Sequence, residues 1–165
     1  MTAVRALHPI LVALALPGLL LAAEPVAWRV VSVHDGDTVT ALDAGNVQRK
    51  VRLTGIDAPE IGQPFGTKAR DRLTALAKGK TVTIHSHGQD RYGRTLASVD
   101  IKGDDLAHRL VADGLAWHYT RYSKDAGLAA VEQEARAARR GLWADREPAP
   151  PWAWRAIAAE SAGRA

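Results

Sequence analysis

Two short acidic stretches and two arginines carry residue types that could handle a phosphodiester. Asp35-Gly36-Asp37-Thr38 and Asp57-Ala58-Pro59-Glu60 each place carboxylates among turn-forming residues, so the acids project from loops. Hard divalent cations are bound by oxygen. Asp37, Asp57 and a backbone carbonyl such as that of Ala58, with waters completing the shell, would form a sparse Ca²⁺ site. The stretch is not an EF-hand, because the regular acidic positions and closing Glu of that loop are missing, and an Asp-Gly-Asp tripeptide alone is equally a plain turn. Arg52, between Val51 and Leu53, points away from its apolar neighbours on a strand that leads into the second acidic loop. Arg94 ends the turn Asp90-Arg91-Tyr92-Gly93-Arg94. Each arginine alone reads as a solvated side chain. Taken together, the groups match the needs of phosphodiester hydrolysis. Guanidinium groups and a cation neutralise the charge that builds on the phosphoryl oxygens. Glu60 would orient or deprotonate water for in-line attack, and Arg94 would set positive charge beside the leaving alkoxide.

These loops need a rigid scaffold, and the hydrophobic periodicity supplies one. Val26 to Val33, Thr38 to Leu42 and Val47 to Gly55 read as three strands of a meander, the last two separated by the turn Asp43-Ala44-Gly45-Asn46. Phe65, Ala69, Leu73 and Leu76 recur at helical spacing until Lys78-Gly79-Lys80. Strands follow at Thr81 to Ser86 and Arg94 to Ile101. Asp104 and Asp105 then open a short helix with Leu106, Leu110 and Val111, and a last helix runs through Leu128, Val131, Ala135 and Ala138 to Gly141. Closing five strands into a barrel removes exposed edges, so an α+β, mainly β fold built on a five-stranded oligonucleotide/oligosaccharide-binding (OB) barrel is a natural solution, and on pattern alone other α+β layouts stay open. From Pro148 the composition shifts to Pro150, Pro151, Trp152 and Trp154, which predicts an extended segment lying on the surface through its indoles.

The 165 residues and 17.7 kDa suit one such domain, expected over residues 24–147 with a Pro/Trp-rich extension at 148–165. A content of 47% hydrophobic and 24% charged residues excludes wholesale disorder and collagen-like repeats, and the absence of Cys excludes disulfides and thiolate chemistry. Lys and Arg total 22 against 18 acidic residues, a net charge of +4 that favours a polyanionic partner. Residues 1–23 carry one charge, Arg5, and an apolar run from Ile10 that ends in Ala22-Ala23, as a secretory signal does. Leu21 fits poorly two positions before the expected cleavage bond, so an uncleaved anchor is the alternative. The expected location is therefore secreted or periplasmic, or membrane-anchored. His85 and His87 share a strand face at a spacing that either binds a transition metal or simply meets solvent, and His34 borders the acidic loop.

In the order and spacing of its markers, the chain from Val26 to Trp143 resembles the thermonuclease family, the micrococcal or staphylococcal nuclease homologues. The markers are Asp35-Gly36-Asp37-Thr38-Val39, Arg52-Leu53, Ile56-Asp57-Ala58-Pro59-Glu60, Gln63-Pro64-Phe65-Gly66, Asp90-Arg91-Tyr92-Gly93-Arg94 and Gly141-Leu142-Trp143. The resemblance implies an OB barrel with three helices and Ca²⁺-dependent hydrolysis of DNA and RNA at the 5′ oxygen, leaving 3′-phosphate ends. It implies Arg52, Glu60 and Arg94 as the catalytic trio, and Asp37 and Asp57 as calcium carboxylates. Ala58 replaces a family Thr that acts through its backbone carbonyl. Tyr92 and Tyr119 become candidates for nucleotide contact, with packing beneath the last helix as the other reading of Tyr119. DNA and RNA are the partners expected, with the chain a monomer and no stable protein partner. Two rivals stay open: a non-catalytic OB-fold binding module, and an exported basic structural protein with a calcium-stabilised turn. Neither has a need for all three catalytic positions and both carboxylates.

Overall fold

Alternation of apolar and polar residues builds a barrel whose interior is almost wholly aliphatic. The computed structural model describes residues 24–164, and the expected leader at 1–23 lies outside the described residues. Its five longer strands are β1 (Val26–Val33), β2 (Thr38–Leu42), β3 (Gln48–Leu53), β5 (Thr81–Gln89) and β6 (Thr95–Ile101). Short strands β4 (Ile56–Asp57), β7 (Asp104–Asp105) and β8 (Trp117–His118) are added at the edges. The long strands lie in the order β3-β2-β1-β5-β6. A parallel pairing of Val51, Leu53 and the Arg52 between them with Thr95, Ala97 and Leu96 closes the ring. Val30, Val39, Ala41, Val51, Leu53, Val82, Ile84, Ala97 and Val99 point inward, none more than 1% exposed. This is the five-stranded OB barrel expected from the pattern.

Helices close the ends and one side. Helix α1 (Gly66–Ala77) buries Ala69, Leu73 and Ala77, a single stripe at fourfold spacing. Helix α2 (Leu106–Ala112) starts at Asp105, whose carboxylate accepts the His108 N–H. Helix α3 (Ala126–Ala137) starts at Asp125, which accepts from Gly127 and Leu128. Each cap satisfies backbone donors left over in the first turn, an effect of about 1 kcal/mol. A second apolar cluster gathers Trp117, Ala135, Leu142 and Trp143 under Phe65.

The tail departs from the sequence reading. Residues Pro151–Ala162 form a helix, α4, rather than an extended strap, making four α-helices among the described residues instead of three. Pro150 and Pro151 sit at the N-cap and first helical position, where the missing N–H costs nothing and the fixed φ suits the helix, and the Ala-rich residues that follow propagate it. No helix among the described residues is long and apolar enough to cross a membrane.

Candidate active site

Strand register brings the scattered charges together. Arg52 on β3 lies opposite Thr38 on β2, which sets its guanidinium beside Asp37, the residue just before that strand. Arg52 forms an ion pair with Asp37 and donates from Nη2 to Asp57 Oδ1 at 3.0 Å. The Asp37 carboxylate accepts two more hydrogen bonds: Thr38 Oγ1 donates to its Oδ1 at 3.0 Å and the Ala58 N–H to its Oδ2 at 2.9 Å. The two acidic loops are thus stitched through one carboxylate. Their contact is close enough to demand glycine at position 36, where a Cβ would come within 2.5 Å of Ala58 Cβ and 2.6 Å of Ala69 Cβ.

Glu60 is held by its backbone. Its N–H donates to Gln63 Oε1 at 3.1 Å, its carbonyl accepts the Gln63 N–H at 2.9 Å, and Gly66 packs so tightly on that carbonyl that any side chain there would overlap it. The carboxylate itself reaches the cleft rim. Arg94 is fixed by Asp90, which accepts the Arg94 Nε at 2.7 Å and its N–H at 3.0 Å. Asp35, Asp37, Arg52, Asp57, Glu60 and Arg94 line one open cleft of about 1270 Å³, with Ala58 on its wall.

Carboxylates crowd the acidic end of the cleft. Burial and the charge of Asp37 push the Asp35 carboxyl up to about 6, and burial raises that of Asp57 against the opposing pull of Arg155 and Arg52. No group of three or more His, Asp or Glu side chains placed to hold a metal occurs among the described residues. A hard cation held by the expected all-oxygen set, Asp37, Asp57 and the carbonyl of Ala58, would share both carboxylates with Arg52 and that of Asp57 also with Arg155.

The family model of the staphylococcal nuclease homologues matches residues 50–145. The chain belongs to that family. It is 44% identical over 128 residues to an uncharacterized endonuclease of Escherichia coli O157:H7, covering 77% of this chain and 83% of the relative. A 38.1 kDa protein of Capnoides sempervirens is 45% identical over 78% of this chain but 36% of its own length. The staphylococcal-like nuclease CAN1 of Arabidopsis thaliana is 42% identical over 64% of this chain and 33% of its own. The chain thus spans about a third of those two longer relatives and most of the bacterial one.

Within this family frame, the expected trio and both carboxylates share one cleft. Tyr92 stands at its mouth, 68% exposed, with the Arg91 guanidinium 4.8 Å from its ring centre. Tyr119 also borders the cleft, its N–H donating to the Gly55 carbonyl at 2.8 Å, but the indole of Trp152 stacks on its ring at 5.2 Å and 5°. Tyr122, edge-on to Tyr119 at 4.9 Å, offers a freer face. The histidine pair is divided: His85 Nε2 meets Asp100 at 2.8 Å and His87 Nε2 meets Ser98 at 2.9 Å, each on the neighbouring strand. His34 turns to Thr40 at 2.7 Å.

Arg155 is not among the site residues that the sequence singles out. It lies on α4 and donates to Asp57 and Glu60. The signal that could have found it is spacing, since Trp152 and Arg155 are three apart and share a face once the segment is read as a helix.

Proposed function

We propose that this chain is an exported, Ca²⁺-dependent nuclease that hydrolyses phosphodiester bonds of DNA and RNA, breaking the bond to the 5′ oxygen and leaving 3′-phosphate ends. The observation that carries the reading is the convergence of Arg52, Glu60 and Arg94 on one cleft beside two buried carboxylates. The similarity to an endonuclease of Escherichia coli supports cleavage within the strand. Export rests on the apolar segment before Glu24.

The chemistry follows from how each group is held. Arg52 is fixed by two carboxylates, so its charge meets the phosphoryl oxygens without reorganisation. Glu60, on a backbone-locked loop, takes a proton from the attacking water as the new P–O bond forms. Arg94, anchored by Asp90, faces the 5′ oxygen as its bond to phosphorus breaks and negative charge gathers there. Ca²⁺ bound at Asp37, Asp57 and the Ala58 carbonyl would add positive charge on the phosphoryl group. Arg91, Arg121 and Lys124 along the cleft draw in the backbone, and the exposed faces of Tyr92 and Tyr122 receive bases.

Digestion of single-stranded DNA, with Ca²⁺ and with a chelator, beside Glu60→Gln tests the reading. Cleavage that requires the cation and falls by about 10²–10⁴-fold in Glu60→Gln is the expected result. Tight binding without cleavage in every condition assigns the chain instead to the non-catalytic OB-fold modules.

A further inference from the structure

Helix α4 is docked at its start by contacts that also reach the catalytic loops. Pro151 is buried. The Trp152 indole stacks on Tyr119 and stands edge-on to Trp117 at 5.6 Å. Gln63 Nε2 donates to the Ala149 carbonyl at 2.7 Å, while the same side chain's Oε1 accepts the Glu60 N–H. One glutamine therefore joins the approach to α4 and the Glu60 loop. Three residues beyond Trp152, and so on the same helical face, Arg155 is aimed into the cleft. Its Nη2 donates to Asp57 Oδ2 at 2.7 Å, and its Nη1 donates to Asp57 Oδ1 at 3.2 Å and to Glu60 Oε1 at 2.5 Å. A single planar fork spans both carboxylates, a geometry that an ammonium cannot reproduce. Helix α4 and the Arg155 it carries lie beyond residue 145, where the match to the family model ends.

We propose that Arg155 is a positioning residue of the active site, delivered by α4, which holds Glu60 in a fixed place relative to Asp57. The inference rests on the nuclease reading. Glu60 is confined by its backbone, yet its side chain stands at the cleft rim, and the Arg155 fork is what ties that carboxylate to the acidic end of the site. The guanidinium acts through the two acids, with the docked indole setting its approach. Its side chain is 42% exposed, so the cleft beside it stays open to a polymer.

The test uses the full chain as Arg155→Met, Arg155→Lys and Trp152→Ala. Turnover of single-stranded DNA at saturating Ca²⁺ is resolved into kcat and KM, and Ca²⁺ binding is followed separately by calorimetry. Arg155→Met keeps the aliphatic stem and loses the fork. It is expected to lower kcat by about 10–100-fold, the scale of misplacing a reacting group by an ångström. KM and the Ca²⁺ affinity are expected to change by less than about threefold, the pattern of a group that matters only in the transition state. Arg155→Lys is expected to recover part of kcat, and it decides the matter should the Met variant fold poorly. Trp152→Ala, which releases the start of the helix, is expected to reproduce the loss.

A kcat close to that of the unaltered chain in Arg155→Met overturns the proposal. So does a loss that added Ca²⁺ restores, because Arg155 then acts through the cation site. A raised kcat with tighter Ca²⁺ binding does so too, because the guanidinium then competes with the cation as a latch. Full kcat in Trp152→Ala removes the helix from the delivery. An unaltered chain that cleaves nothing refutes the nuclease reading itself and takes this inference with it, whereas an active chain indifferent to position 155 refutes the inference alone.

Discussion

Gly36→Ala is expected to damage the fold and the site together. A methyl at this position lies 2.5 Å from Ala58 Cβ and 2.6 Å from Ala69 Cβ. Carbon atoms settle at about 3.5–4.0 Å, so both contacts are short by roughly 1 Å. Neither obstacle is the end of a flexible side chain, since each Cβ is fixed to its backbone. Helix α1, the Asp57–Glu60 loop or the Asp35–Asp37 loop must therefore shift as a body. Overpacking of this kind costs about 1–3 kcal/mol. Unfolding in urea, followed through the tryptophan fluorescence, should show it as a lower midpoint at unchanged slope. The same shift separates Asp37 from the Ala58 N–H, now at 2.9 Å, and turnover is expected to fall by about 10²-fold. Ala69→Gly in the Gly36→Ala background removes one of the two collisions. It should recover stability even though Gly inside a helix itself costs about 0.5–1 kcal/mol. A Gly36→Ala chain with the unaltered urea midpoint and turnover would refute this packing argument.

Other expected outcomes follow from the same contacts. Arg52→Met leaves Asp37 and Asp57 buried without their shared partner. It should cost about 3–5 kcal/mol in urea unfolding as well as activity, so the intact fold expected for a purely catalytic arginine is not expected here. Trp143→Ala removes an indole that is 6% exposed, edge-on to Trp117 at 4.4 Å and under the Arg136 guanidinium, and thermal unfolding should register a loss of about 3–5 kcal/mol. The Gly103 N–H and His85 hold the Asp100 carboxyl below its usual range. Its folded value is the lower one, so its contribution is present above the ordinary carboxylate range of about 4 and is lost as pH falls through the folded value. Asp100→Asn should therefore be less stable than the unaltered chain at neutral pH, and the gap between their melting curves should close in acid.

Much of the scaffold is legible locally. In Val51-Arg52-Leu53 the period of two alone puts the aliphatics inside and the guanidinium outside, and the Asp-Gly-Asp and Asp-Ala-Pro-Glu stretches declare themselves as acidic loops. What local pattern cannot carry is pairing across long separations. The two-residue contact of Ile56-Asp57 with Trp117-His118 brings Tyr119 to the acidic loop, and nothing in either segment announces the other. The partners of His85 and His87 depend on the β5–β6 register in the same way. For α4 the obstacle is ambiguity of a residue type: proline ends helices from inside and begins them from the first turn, and only tertiary docking distinguishes the cases. Arg155 was hidden with the helix that carries it.

The parallel seam between β3 and β6 also makes the site a property of the closed barrel. It joins Val51 to Thr95, segments far apart along the chain, so the loop between them must be closed before the contact exists. Arg52 lies on one lip of the seam and Arg94 directly precedes the other. The two guanidinium groups are set on one cleft only when β3 and β6 are paired. An unfolded chain carries every acidic residue of the cleft and still has no cleft. Assembly of the charged groups is then a property of topology, carried by the seam rather than by any one loop.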